Sequence, residues 1–266
     1  MLRKLAVVMT VLLLGVSVVV AQDDRTVFWQ RWDVLINNVD TANNQFNVTE
    51  IYDVQFNGTF HYGSAVIPLD RLNNITDVQV SEAGRPLQQN CSTQVDSVCS
   101  ETTSDGLSIT YYFTHPITDS TEHFEISYTV NGALRVYSGG DQLWWIAVPS
   151  QHYGFPIATS TITVILPQGF APREGIDPVV TYGATSDVQV NGTAVVAKTT
   201  HEIVGDDAFE IRVQYPHDPN AHAPGWQASF DQQRYSQENV LPLDYVRVIT
   251  GSLLIAVGSK LLLLTR

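Results

Sequence analysis

The sequence predicts an all-β fold: an antiparallel β-sandwich, either one large sandwich or two immunoglobulin-like ones in tandem, followed by a linker and one C-terminal transmembrane helix. Three observations lead there. Apolar residues make up 44% and charged residues 15% of the 266, with 17 Gly and 12 Pro spread along the chain, which suits a turn-rich β protein better than a helical or disordered one. Between residues 26 and 215, segments of alternating apolar and polar residues recur at short intervals with turn dipeptides between them, and no 3.6-residue period competes. Two longer apolar runs stand near the ends of the chain.

The first of these is a targeting segment. Arg3 and Lys4 precede the apolar run 5–20, and Val19-Val20-Ala21 offers small residues for cleavage, so residues 1–21 read as a signal peptide; an uncleaved anchor is the alternative. Export follows, and the exported β region is 26–217.

Within it the first strand, 26–39, alternates Trp32, Val34 and Ile36. The second places Phe46, Val48, Glu50, Tyr52, Val54 and Phe56 on one side. Asn57-Gly58 then predicts a two-residue hairpin into 59–69, with Phe56 opposite Thr59, Val54 opposite His61 and Glu50 opposite Ala65. Strands at 75–80 and 107–113 bracket a polar loop holding Cys91 and Cys99.

The stretch 125–149 reads as three consecutive strands. Its hairpin at Asn131-Gly132 needs more than a two-residue loop, because pairing Val130 with Leu134 and Tyr128 with Val136 satisfies the apolar pattern, whereas a plain loop would put Tyr128 against Arg135. The run 143–148 is apolar in both alternating sets, as expected of a strand covered on both faces. After a loop at 149–158, where two tandem domains would divide, strands are expected at 161–166, 179–182, 187–190, 193–198 and 209–215, with Asn191-Gly192 as a further hairpin turn.

From residue 218 to 244 the composition shifts to His, Asp, Pro, Gln and Asn, which reads as a linker with a short helix near 229–238. Residues 246–264 then form an apolar run of membrane-spanning length, flanked by Arg247 and Arg266, in which Lys260 can snorkel to the interface. This places the β-domain outside a cell membrane, with the chain crossing once, its C-terminus in the cytoplasm, and membrane lipid as a partner of the helix.

Charge and cysteines narrow the partners. With 14 Lys and Arg against 27 Asp and Glu, net −13, and no basic cluster, no nucleic acid partner is expected. Cys91 and Cys99 are the only cysteines and, in an exported chain, read as one local disulfide rather than a metal or redox pair, since the spacing is not CxxC.

One set of residues carries a resemblance. Val48-Thr49-Glu50, Tyr52, Phe56, Gly58, Phe60, Gly63 and Ile67-Pro68, then Tyr128, Gly132, Tyr137, Asp141, Leu143, Trp144-Trp145 and Leu166-Pro167, resemble domain-of-unknown-function family 2207, the YciQ-type predicted bacterial membrane proteins. The likeness spans residues 27–216. It implies a signal peptide, an extracytoplasmic all-β domain and a membrane anchor, and it brings no assigned reaction. Asn43-Asn44 stands where the family has an Asp-Gly type turn, and members continue past the first membrane helix whereas this sequence stops at Arg266.

Three side chains stand out as candidates. Glu50 is the lone acid on an apolar strand face, either a carboxylate of raised pKa usable as a general acid or ligand contact, or a buried acid satisfied by Arg31, Arg135, His61 or backbone amides. Trp144 and Trp145 point to opposite faces of their strand, so one could stack on a sugar or peptide; core packing is the other reading. His217-Asp218-Pro219-Asn220-Ala221-His222 has the densest metal-ligating residue types but lies in a proline-containing linker, and Gly205-Asp206-Asp207 lacks the acidic spacing of a calcium loop, so no metal and no cofactor is expected. No GxSxG elbow or phosphate loop occurs. The expectation is a non-enzymatic binding or assembly module of the bacterial cell envelope, partnered by other envelope or membrane proteins. The alternatives are a cell-surface hydrolase acting on carbohydrate, with Glu50 and a second acid, and an exported ligand-binding module using a tryptophan.

Overall fold

A computed structural model describes residues 25–150, 154–174 and 177–239. Fifteen strands and one helix follow in order: β1 Thr26–Asp40, β2 Gln45–Asn57, β3 Thr59–Ile67, β4 Asn74–Glu82, β5 Arg85–Pro86, β6 Gln88–Gln89, β7 Ser97–Thr103, β8 Gly106–Thr118, β9 Thr121–Asn131, β10 Asp141–Val148, β11 Thr161–Ile165, β12 Val179–Gly183, β13 Ser186–Asn191, β14 Ala194–Thr199, β15 Phe209–Tyr215 and α1 Gln227–Asn239. The expected signal peptide at 1–21 and membrane span at 246–264 lie outside the described residues. Among the described residues no helix is long and apolar enough to cross a membrane.

An eight-stranded sheet, in the order β13-β14-β11-β1-β2-β9-β4-β5, forms one layer. Two smaller sheets, β3-β8-β7-β6 and β10-β15-β12, accompany it. The large sheet is mixed rather than purely antiparallel, because β11 runs parallel to β1 with Val34 beside Ile162 and Ile36 beside Val164. That pairing also carries the chain past 149–158 back into the sheet it left, so one core serves the whole β region rather than two tandem ones.

The three Asn-Gly dipeptides have different fates. Asn191-Gly192 makes the expected hairpin, with Asn191 opposite Ala194. At Asn57-Gly58 the chain leaves the large sheet altogether: β2 pairs with β1 and β9, β3 pairs with β8, and β2 and β3 form no ladder. Gly58, at φ 91°, gives its N–H to Asp119 Oδ1 at 2.7 Å, so this crossing lies against the β8-to-β9 turn, where the chain crosses back. Glu50 therefore stands opposite Val34 and Ile126 instead of Ala65.

At Asn131-Gly132 neither anticipated register exists. β9 is flanked by β2 and β4, and the chain crosses to the three-stranded sheet at 132–134. Asn44 holds that crossing: its carbonyl accepts from Gly132 N–H at 2.7 Å, and its side chain brackets Leu134, accepting from the N–H and donating to the C=O, each at 2.8 Å. What does form is a six-residue loop, 136–141, closed by Arg135 and Gln142, whose backbones bond reciprocally at 2.9 and 2.8 Å. β10 then buries Leu143, Trp145 and Ala147 on one face, while Gln142, Trp144 and Ile146 on the other are half-buried, so it is less fully covered than its composition predicts.

Every even-numbered residue of β2 from Phe46 to Phe56 is buried. The two ends of this face meet different sheets. Phe46 sits edge-on to Trp145 of β10 at 5.5 Å, while Phe56 packs against Phe60 of β3 at 5.0 Å and Phe113 of β8 at 5.7 Å. Glu50 and Tyr52 fall between, under the seam where the two small sheets adjoin.

The segment the composition marks as a linker from 218 is fastened where it is described. Thr41 donates to Asp218, Trp226 Nε1 donates to Gly132 O at 2.7 Å, and the Gln227 amide brackets Val136 with bonds of 2.9 and 2.8 Å, as a neighbouring strand would. α1 is thereby held to the β-domain.

Candidate functional site

Glu50 is the chemical centre of the seam. It is 6% exposed, and both carboxylate oxygens are occupied: Tyr52 donates to Oε2, and Tyr128 donates to Oε1 at 2.6 Å. Tyr52 shares the strand face with Glu50 two residues away, and Tyr128 arrives from β9, which the large sheet sets beside β2. None of Arg31, Arg135, His61 or a backbone amide satisfies it. Burial raises the Glu50 pKa, against the lowering effect of Tyr128, then Tyr52, then Trp32. Burial, and then the nearby carboxylate, push both tyrosines well above their ordinary 10.0, so they remain donors.

Above this cluster lies a chamber of about 50 Å³, lined by Trp29, Trp32, Glu50, Tyr52, Tyr111 and Tyr128 together with 64–68 of β3 and the end of β10. Trp29, Ser64 and Tyr111 also line a larger cleft of about 350 Å³, walled by Val27, Phe56, Phe60, Tyr62 and Phe155 together with Arg25 and His61. The cleft and the chamber therefore share three walls. Gly63 allows Tyr111 to lie across β3, since a Cβ there would stand 2.5 Å from the tyrosine oxygen. The indole N–H of Trp29 is buried without a hydrogen-bond partner, whereas that of Trp32 lies close enough to Glu50 to favour its ionised form. Among the described residues Glu50 is the one carboxylate lining either cavity, so the two-acid arrangement a glycosidase uses is not assembled around it.

The two candidate tryptophans part company. Trp145 is buried, edge-on to Phe46 and near Tyr128, whose ring it approaches at 6.2 Å. Trp144 faces the other way, stacked on Tyr182 at 5.2 Å with its N–H on Glu210 at 3.0 Å. Its remaining face is covered by Arg135, whose guanidinium sits 4.3 Å from the indole, 4.8 Å from Phe230 and 5.9 Å from Trp226. Arg135 is 2% exposed, and its Nε and Nη1 find no hydrogen-bond partner. Neither tryptophan offers a free stacking face.

Cys91 and Cys99 form the expected disulfide, with Cα atoms 4.6 Å apart, beside the edge of the four-stranded sheet. They and Glu101 are the one His, Cys, Asp and Glu grouping of metal-ligating geometry among the described residues, and the disulfide takes both thiols.

Glu50 was legible as an odd acid on an apolar face. Tyr52 carried the same signal two positions on. Tyr128, Trp29, Trp32 and Tyr111 did not, because each joins the site through pairings between segments distant in sequence.

Against known proteins, residues 33–215 match the model of a family described as Predicted membrane protein (DUF2207) N-terminal domain. No curated protein matches significantly. Among solved structures, yeast LTA4 hydrolase in complex with Bestatin superposes at TM-score 0.47 and 11% identity, over 70% of this chain and 28% of that one. An M1 zinc metallopeptidase from Deinococcus radiodurans does so at TM-score 0.41 and 7% identity, over 70% of this chain and 42% of that one. This chain thus spans less than half of either, and likeness so slight carries no argument about activity.

Proposed function

Since the chain belongs to the DUF2207 family of predicted membrane proteins through its N-terminal domain, we propose that it is a membrane-anchored, extracytoplasmic binding module of the bacterial cell envelope. In this reading residues 1–21 export the β-domain and 246–264 hold it by a single span in lipid, with the C-terminus in the cytoplasm. The observation that carries it is the largely aromatic cleft beside the chamber over Glu50: an apolar concavity with a few convergent polar groups is the ordinary form of a binding site. The fastening of α1 to the β-domain supports the anchoring part, because it leaves little chain between the folded domain and residue 246.

Assembly with other envelope or membrane proteins is the second reading, supported by β13. This strand is an edge of the large sheet, and it exposes Val188 at 39% and Val190 at 45%. An unpaired edge with apolar side chains can accept a strand from another chain.

One experiment tests both. A photo-crosslinking amino acid placed at Tyr62, 57% exposed at the cleft, or at Val188, is activated in the full chain in its own membrane. A defined adduct from Tyr62 alone supports the cleft, and a defined protein adduct from Val188 supports assembly. Absence of a reproducible adduct from both positions rejects the binding-module proposal.

A further inference from the structure

We infer that the open groove between α1 and the outer face of the β10-β15-β12 sheet is a binding site for a phosphodiester monoanion, the group that a phospholipid carries at its head. The chemistry is read from the groove alone. The lipid as its source rests on the anchored reading above.

The sequence holds no basic cluster, yet the fold makes one. Four of the nine Lys and Arg residues among those described gather at Trp144, in a chain of net −13. Arg71 and Arg135 hold their guanidiniums 6.0 and 4.3 Å from its ring, Arg212 is its direct partner on β15, and Arg234 of α1 lines the groove beside it. Arg135 is 2% exposed, and no carboxylate hydrogen-bonds it among the described residues. Burial lowers its pKa, and Arg71 and Arg234 lower it further, against the opposing pull of Tyr137 and Asp231. Arg71 is aimed here by a backbone at φ 61°, a left-handed conformation rare in so bulky a residue. Like charges brought together and partly desolvated are unfavourable, and an anion beside them offsets that.

The groove has the size and lining to take such a group. It offers about 400 Å³ between Gln142, Trp144 and Arg212 of the sheet and Asp231 and Arg234 of α1. Two guanidiniums facing one concavity suit phosphate oxygens, which they meet through paired N–H groups. Asp231 sets the charge limit. Bonds from Tyr137 at 2.8 Å and Gln227 at 3.5 Å fix it on the wall, where a dianion would meet it at close range; a phosphodiester brings one charge only. The two other acids nearby are engaged elsewhere, Asp70 with Arg71 at 2.7 Å and Glu210 with the Trp144 N–H at 3.0 Å. The course of the chain favours a lipid, since residue 246 follows the end of α1 at Asn239 by seven positions and so stands within about 25 Å of it.

The test uses the full chain in a neutral detergent, with its five tryptophans labelled at the indole nitrogen, and follows the NMR signal of the Trp144 N–H, assigned with Trp144→Phe. Three probes separate the chemistry from its source. Dihexanoyl phosphatidylglycerol is the lipid, glycerophosphoglycerol is the same phosphodiester head without chains, and dihexanoylglycerol is the same chains without phosphate. Saturable shifts are expected with the two phosphodiesters and none with dihexanoylglycerol. Arg212→Gln and Arg234→Gln should each weaken binding about tenfold, while Arg85→Gln, on β5 outside the groove, should not. Unmoved Trp29 and Trp32 signals show that the variants are folded. Tighter binding of the lipid than of its bare head supports the lipid source, and equal binding overturns that source while upholding the phosphodiester. A shift from dihexanoylglycerol equal to that from the lipid, no saturable shift with any probe, or full affinity in both arginine variants overturns the site. None of these outcomes touches the cleft, which the Tyr62 adduct decides.

Discussion

Tyr128 donates its phenolic proton to Glu50 across two neighbouring strands, at 2.6 Å, from a position diagonal to the glutamate in the β2–β9 ladder, where Ile126 is its direct partner. That bond and the one from Tyr52 make the acid tolerable in the core without making it comfortable, because burial still outweighs them and raises its pKa above the ordinary 4.5. A raised folded pKa means that the folded state binds the proton more tightly than the unfolded chain. The stability Glu50 contributes is therefore full below the unfolded value and is lost as pH rises through the folded one. Glu50→Gln removes this titration. Thermal melts of the full chain should show the variant gaining on the wild type as pH is raised from 4 to 8, and a constant difference would contradict the assignment. Glu50→Ala, which strands two buried hydroxyls, should cost about 2–4 kcal/mol at pH 4 and less as pH is raised, because it too lacks the titrating group.

Gly63 and Tyr111 are direct partners in the β3–β8 ladder, and the tyrosine occupies the space a side chain at 63 would need. The backbone of Gly63 is not in the left-handed region, so the demand is purely one of room. Gly63→Ala is expected to cost about 1–3 kcal/mol by overpacking. Tyr111→Leu in the same chain should recover part of that, which denaturant titration of the two single variants and the double variant would measure as a favourable coupling.

The strands were legible because alternation is a local property: β1, β2, β14 and β15 fall within a residue or two of where the pattern puts them. What the chain does at its turns was not. Asn57-Gly58, Asn131-Gly132 and Asn191-Gly192 offer the same positive φ, and only the last joins strands that pair. The other two change sheets, and the deciding partners, Asp119 for Gly58 and Asn44 for Gly132, stand 61 and 88 residues away. The site followed the same division. Glu50 and Tyr52 show in one strand, whereas Tyr128, Trp29 and Trp32 depend on which strands become neighbours, and no local pattern encodes that.

Arg135 sits among Trp144, Trp226 and Phe230, and among the described residues no carboxylate hydrogen-bonds it. Removing its charge therefore orphans no acid, and its long stem does much of the packing. Arg135→Met should be nearly neutral, within about 1 kcal/mol, while Arg135→Ala leaves a void between β10 and α1 and should cost about 2–4 kcal/mol. The loss should appear first as faster proteolysis within 218–239, measured by limited digestion. Equal damage from both substitutions would show that the charge, not the volume, is what matters.

Asn44 carries the crossing from β9 towards β10 on three bonds, and it does so at φ 53°, where asparagine is tolerated better than most residues. Two substitutions separate these contributions. Asn44→Gly keeps the backbone conformation and loses both side-chain bonds to Leu134, leaving a buried N–H and C=O unmet, for about 2–3 kcal/mol. Asn44→Ala loses the same bonds and adds the left-handed strain, about 1 kcal/mol more. Denaturant unfolding should therefore rank wild type above Asn44→Gly and Asn44→Ala last. If alanine were no worse than glycine, the backbone at this crossing would not be held in the left-handed region, and the bracket on Leu134 alone would account for the residue.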